Sequence, residues 1–146
     1  MNDVSAKRIL VPVNGNPTDG EVVALASSLA TRNGAEVNVI YVIEVKRTLP
    51  LDADLPPEAE RGETILASAE RVAKSSRQEI QADLLQAREG DVGPTIVDEA
   101  RERGADLILL GIPYKKRFGE FDLGRTVPFV LKHAPCRVWL CRQAIG

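Results

Sequence analysis

The sequence has no excess of basic charge: 19 lysines and arginines stand against 21 acidic residues, for a net charge of −2. No cationic field is offered to nucleic acid, which is set aside as a partner. Long apolar runs are also missing. The first, in "MNDVSAKRILVPV", is five residues long, and none approaches the roughly 18 needed to span a bilayer, so no membrane insertion is expected and the chain reads as cytoplasmic. Cysteine is scarce, with only Cys136 and Cys141. Five positions apart in one apparent strand, they point to opposite faces about 16 Å apart at ~3.3 Å per residue, too far to bridge. Small core thiols in a reducing compartment are the reading that fits. His133 is the only histidine. With two cysteines on opposite faces it makes no zinc site, and there is no nucleophile elbow or Ser/His/Asp pattern, so no catalytic residue and no enzyme are expected. At the end of a short helix, His133 fits a structural position where a cation would favour the helix dipole.

What is present is a globular chain of 146 residues, 44% apolar and 27% charged. A chain this long buries roughly 70% of its unfolded surface. No repeat, low-complexity tract or linker divides it, and residues 1–146 read as a single domain. Apolar runs recur at "RILVPV", "EVNVIYVIEV", "DLILLG" and "RVWLCR", with a weaker, polar-interrupted strand at "ADLLQAR" that suits a sheet edge. Between them lie helical patterns. Val22, Leu25, Ala26 and Leu29 keep one face of a first helix ending near Asn33-Gly34, with Thr18 and Glu21 spaced as a capping box. A second helix starts after Pro56-Pro57, behind a long loop, "KRTLPLDADLPPE", expected to be mobile. A third opens near Pro94, buries Ile96, Val97 and Ala100 and stops at Gly104. A fourth runs from about Thr126 to His133, halted by Pro135. Strands alternating with helices predict an α/β fold with a parallel sheet covered on both faces. Pro12 argues against a central place for the first strand, since it cannot donate to a ladder.

Several segments together resemble the universal stress protein domain: "ILVPVNGNP", "VNVIYVIEV", "AREGDVGPTIVDEARERGADLILLG" and "LGRTVPFVLKHAPCRVWLCR". The likeness runs nearly end to end, and "HAPCRV" is its most specific part. It implies an open five-stranded parallel sheet in the order 3-2-1-4-5, with the strand order reversing between the first and fourth strands. Ligands in such sheets sit beyond the carboxyl ends of the strands at that reversal.

Family members that bind ATP share a loop of the form G-x-x-G-x9-G-[S/T] and an aspartate closing the first strand. Here the spacing is kept and the chemistry changed. Gly111 and Gly124 match the outer glycines, but Tyr114 replaces the middle one, Arg125 follows the last, and Asn14 takes the aspartate's place. A tyrosine restricts φ and puts a ring where phosphate oxygens would pass. Gly119 offers a turn five residues later. Arg125 exchanges a hydroxyl for a cation, able to pair with an anion or to fill the phosphate site itself beside a nearby acid. Asn14 keeps hydrogen bonding to a ribose without the charge. The helix start near Gly124 keeps unpaired N–H groups, with Pro128 costing nothing in the first turn. Lys115, Lys116 and Arg117 suit a phosphate clamp, but with Glu120 and Asp122 following, a solvated loop fits better.

Two functions remain open. One is a dimeric regulatory stress-response domain without standard ATP binding, possessing no required cofactor and acting on a protein partner such as a transporter. The other is an adenine-nucleotide sensor for ATP or AMP, with or without Mg, using a rearranged loop. In that reading Pro12 and Val13 shape the adenine side, Val42 presents backbone groups to the base, Asn14, Gly111 and Tyr114 follow, and Gly124, Arg125 and Thr126 hold phosphate. The resemblance also implies a homodimer through the last strand, which would be the sheet's edge: Val138 and Leu140 on one face, Trp139 and Cys141 on the other. A weak nucleotide hydrolase ranks below both, since nothing fixes the geometry of Glu120 and Asp122.

Overall fold

A computed structural model describes residues 6–114, 116–117, 120–121 and 123–144. Its main elements are β1 (Arg8–Val13), α1 (Asp19–Asn33), β2 (Glu36–Val45), α2 (Pro56–Ser75), β3 (Gln81–Arg88), α3 (Val92–Glu102) and β4 (Leu107–Ile112). Two short strands follow, β5 (Lys116–Arg117) and β6 (Glu120–Phe121), then α4 (Thr126–His133) and β7 (Arg137–Arg142). The main sheet has five strands in the order β3-β2-β1-β4-β7, all paired in parallel. This is the expected 3-2-1-4-5 topology. The antiparallel β5–β6 pair was not anticipated in what reads as a charged loop.

The apolar runs are continuous because alternate residues of each strand enter different cores. Ile9, Val11 and Val13 of β1, Val37, Val39 and Ile43 of β2, and Leu107 and Leu109 of β4 pack with α1 and α2. Leu10, Ile40, Ile108 and Leu110 face the other way, against Ile96, Val97 and Ala100 of α3 and Val130 of α4. β3 is an edge strand, half-buried along most of its length.

Pro12 lies in a central strand after all, and the pairing explains why it is tolerated. The Arg8 carbonyl accepts from Asp106 N on the β4 side, whereas the Lys7 carbonyl accepts from Glu36 N on the β2 side. Alternation along the strand therefore aims Leu10 and Pro12 at β4. The β1–β4 register covers Ile9↔Leu107 and Leu10↔Ile108 and ends before Pro12, so the missing N–H points to the side where the hydrogen-bonded ladder stops. At the other end, the Asp106 carboxylate accepts from Lys7 N at 2.8 Å and Arg8 N at 3.1 Å and ties the start of β1 to β4.

Two local expectations are corrected. Thr18 and Glu21 form no capping box. Thr18 is buried, and it donates both its backbone N–H (2.8 Å) and its hydroxyl to Asn16 Oδ1 instead of capping α1. The segment before α2 is not loose: Gln86 Nε2 donates to Leu51 O at 2.7 Å and Ala53 O at 3.2 Å, Arg88 donates to Leu49 O, and Arg47 N donates to Glu89 Oε1 at 3.0 Å. Side chains at the end of β3 thus anchor carbonyls that a loop would otherwise leave to water.

A polar junction ties the α3 side of the sheet. Arg103, just beyond α3, donates to Asp83 Oδ2 (2.8 Å), Glu99 Oε1 (2.8 Å) and the buried Asn38 Oδ1 (2.9 Å). Burial opposes its charge, but the bonds to Asp83 and Glu99 outweigh that and raise its pKa. No helix among the described residues is long and apolar enough to cross a membrane.

Candidate functional site

A cleft of about 340 Å³ opens at the carboxyl ends of β1, β2 and β4, where the strand order reverses. That is the low end of the roughly 300–1,000 Å³ usual for small-molecule pockets. Pro12, Val13 and Asn14 form one wall, Val42 the floor, and Gly111 the start of the opposite wall, which Gly124, Arg125 and Thr126 close. Every expected contact residue lies there except Tyr114.

The first wall is rigid by construction. Asn14 Oδ1 accepts from Asn16 N at 3.2 Å and Asn16 Nδ2 at 2.6 Å, and Gly15 N donates to Asp19 Oδ2 at 2.7 Å. Burial pushes the Asp19 carboxyl up, against the pull of N–H groups from Gly15 and Asn14 and the charge of Arg61. Arg61 also donates to the Tyr41 hydroxyl at 3.0 Å, so α2 braces the turn from outside the cleft.

Gly111 is required by packing whether or not a ligand binds. A Cβ there would run into the Thr18 hydroxyl and stand 2.8 Å from Val22 Cγ2. The glycine therefore lets β4 sit close against α1. Gly124 differs: its φ of 70° is left-handed, and a Cβ there would meet nothing within 4 Å.

Tyr114 does not line the cleft. Its N–H donates to Gln143 Oε1 at 3.1 Å, and the Arg142 guanidinium lies 5.6 Å from its ring centroid. Gln143 N also donates to Ile112 O at 2.7 Å. The chain after β7 thus latches the start of the loop. Gly119, Lys115 and Asp122 lie outside the described residues. Arg125 is exposed and lines the cleft, and no ion pair joins it to an acid among the described residues.

The sequence reading missed Glu44, which lines the cleft two residues beyond Val42 on the same face of β2. Strand alternation was the signal. Its Oε2 accepts from Gly90 N at 3.2 Å. Val92 and Ile96, one turn apart on α3, supply an apolar wall with Leu123 and Val127. Among the described residues, no three His, Cys, Asp or Glu side chains converge as for a metal.

Outside the cleft, His133 is exposed with its ring 4.3 Å from that of Phe129. Trp139 and Cys141 pack on the α1–α2 side and Cys136 and Val138 on the other, while Leu140 is 40% exposed. The cysteines are free. Burial pushes both thiols up, reinforced by Asp106 at Cys136 and Glu21 at Cys141.

An open parallel sheet with a cleft at its strand-order reversal defines the class of α/β proteins that receive small molecules beyond the strand ends. Within that class, a profile of the universal stress protein family matches residues 5–142, and the chain belongs to that family. It is similar to universal stress protein MJ0531 of Methanocaldococcus jannaschii, 29% identical over 143 residues, covering 94% of this chain and 82% of that protein. Among solved structures, the universal stress protein from Archaeoglobus fulgidus matches with a TM-score of 0.76 at 23% identity, covering 92% of this chain and 97% of that one. A structure of the Archaeoglobus fulgidus protein in complex with dAMP matches with a TM-score of 0.71 at 23% identity, covering 92% and 96%.

Proposed function

We propose that the protein is a non-catalytic regulatory domain of the stress response whose cleft takes an adenine nucleotide by base and ribose, without the glycine-lined grip on a polyphosphate. The observation that carries this reading is the split in the cleft: its apolar floor and first wall are built, while the Tyr114 N–H is committed to Gln143. Pro12, Val13 and Val42 offer flat apolar surface and backbone groups to a base. Asn14 has its carbonyl occupied by Asn16, which turns its role toward donating. The dAMP bound by the Archaeoglobus fulgidus protein supports an adenine ligand.

The test is mass spectrometry of small molecules released on denaturing the purified protein, together with calorimetric titration of adenosine and AMP. Heat from both compounds is expected; absence of heat from both would overturn the nucleotide reading.

A second proposal concerns assembly. Among the described residues β7 is an edge strand of the sheet, with Val138 and Trp139 half-buried and Leu140 exposed. Such an edge invites pairing with a second copy, and a dimer surface of this kind is where a partner such as a transporter domain would read the bound state. Leu140→Lys is expected to give a monomer by sedimentation; an unchanged assembly would count against the β7 contact.

A further inference from the structure

The dipeptide Asn-Gly occurs at Asn14–Gly15 and again at Asn33–Gly34. It is chemically labile, because glycine has no Cβ to shield its backbone nitrogen from the side-chain amide before it. The two copies stand in different surroundings. Asn33 is the last residue of α1, and Gly34 N donates to Ala30 O, a carbonyl that is no base. On the wall of the cleft, Gly15 N donates instead to Asp19 Oδ2 at 2.7 Å. A carboxylate at that distance is within the reach a general base needs. The carbonyl beside it is engaged as well: Asn14 Oδ1 accepts from Asn16 N at 3.2 Å and from Asn16 Nδ2 at 2.6 Å. Asn16 must present Nδ2 there, since its Oδ1 accepts from Thr18 N at 2.8 Å. Two donors on an oxygen that can gain negative charge make an oxyanion hole. The glycine is fixed in place, with a φ of 87° and with Arg61 Nη2 2.8 Å and Ile65 Cδ1 2.9 Å from where a Cβ would stand.

From this geometry we propose that Asn14 is a self-modifying residue, deamidated in the folded protein with Asp19 as base and Asn16 as oxyanion donor. Gly15 N gives its proton to the Asp19 carboxylate and bonds to Asn14 Cγ, placing negative charge on Oδ1. The Cγ–Nδ2 bond then breaks, and Nδ2 takes the proton back, directly or through water, and leaves as ammonia. Water opens the resulting succinimide at either carbonyl, giving aspartate or isoaspartate. Each step is a substitution at a carbon of constant oxidation state, so water is the only co-reactant. Burial raises the Asp19 pKa and makes its ionised form the stronger base. Either product adds a negative charge to the first wall of the cleft, and isoaspartate also lengthens the main chain by a methylene at the end of β1. The reaction does not depend on what the cleft binds. Its consequence for a ligand rests on the adenine-nucleotide reading, because it removes the amide donors assigned there to Asn14.

The experiment is peptide mapping by mass spectrometry of the full chain, incubated at neutral pH in native buffer and in urea. Trypsin separates the two sites by cutting at Arg8, Arg32 and Lys46, and conversion is read as the exchange of NH2 for OH, with isoaspartate resolved by chromatography. In the folded protein Asn14 is expected to convert about tenfold faster than Asn33 or more, the gain of a positioned base, and at least as fast as it does in urea. Asp19→Asn keeps an acceptor without a base and should slow Asn14 about tenfold, with the Asn33 rate and the melting temperature near those of the parent. The comparison of native buffer with urea stands even where the variant fails to fold. Asn33 converting as fast as Asn14 in the folded protein would overturn the proposal, as would a folded Asn14 slower than in urea or a folded Asp19→Asn variant with an undiminished rate. Absence of heat when adenosine is titrated into fresh protein would remove the nucleotide reading alone, since the conversion at Asn14 is measured without ligand.

Discussion

Gly111 and Gly124 occupy the two outer glycine positions of the same loop pattern, yet they are glycines for different reasons. At Gly111 the neighbours decide: the Thr18 hydroxyl and Val22 fill the space a side chain would need, so the residue belongs to the contact between β4 and α1. At Gly124 space is open and the left-handed φ of 70° decides, so the residue belongs to the turn that starts α4. Between them Tyr114 has been drawn toward the end of β7. A spacing motif can therefore persist because packing and turn geometry each preserve one end, while the chemistry between them changes.

Substitutions separate these causes. The largest effect is expected from Gly111→Ala, which overpacks a close contact and should cost about 1–3 kcal/mol, read as a lower urea midpoint at unchanged m-value. Gly124→Ala should cost about 1 kcal/mol, the penalty for an alanine in left-handed backbone, with no packing contribution. Equal costs at the two sites would erase the distinction. Next, Tyr114→Gly alone should change ATP affinity less than twofold, since the ring does not line the cleft. Combining it with Gln143→Ala releases the latch, and a gain in ATP affinity confined to the double variant would locate the obstacle in the backbone N–H, not in the ring.

The smallest effect concerns the first wall. Burial raises the Asp19 pKa above its ordinary 3.8, so folding favours the protonated carboxyl relative to the unfolded chain. Its contribution to stability is complete below the unfolded value and is lost as pH rises through the higher folded value. Asp19→Asn keeps an acceptor for Gly15 N and should flatten the thermal-stability profile just above pH ~4, with no loss at pH 7. An unchanged profile would show that solvent and Arg61 already compensate the buried charge.

The inner strands were legible because both faces of the sheet are buried, which turns them into unbroken apolar runs; their order was legible only through the family resemblance. The walls of the cleft were legible through the family's loop pattern, which matches Asn14 at the end of β1, Gly111 in β4 and Gly124 before α4. What escaped the sequence reading depends on partners distant along the chain. Thr18 looked like a helix cap, but its hydroxyl is taken by Asn16 and its side chain is buried beneath Gly111. Tyr114 is aimed by Gln143, 29 positions later. Glu44 was not singled out at all, because the group that fixes its carboxylate, Gly90 N, is 46 positions away. Pro12 looked misplaced because the sequence does not reveal that the β1–β4 ladder ends before it.

The Asp106 carboxylate joins backbone positions 99 residues apart, at the start of the β1–β4 pairing where the first and second halves of the sheet meet. Closing so large a loop costs chain entropy before its contacts repay it, and non-local pairing of this kind slows folding. During folding, each half can assemble its local strand–helix units before that seam forms, but the cleft has walls from both halves and exists only afterwards. Ligand occupancy would then serve as a readout of completed folding: a chain with a frayed seam would keep much of its secondary structure and lose its binding, so a small change in stability could be transmitted as an all-or-none signal.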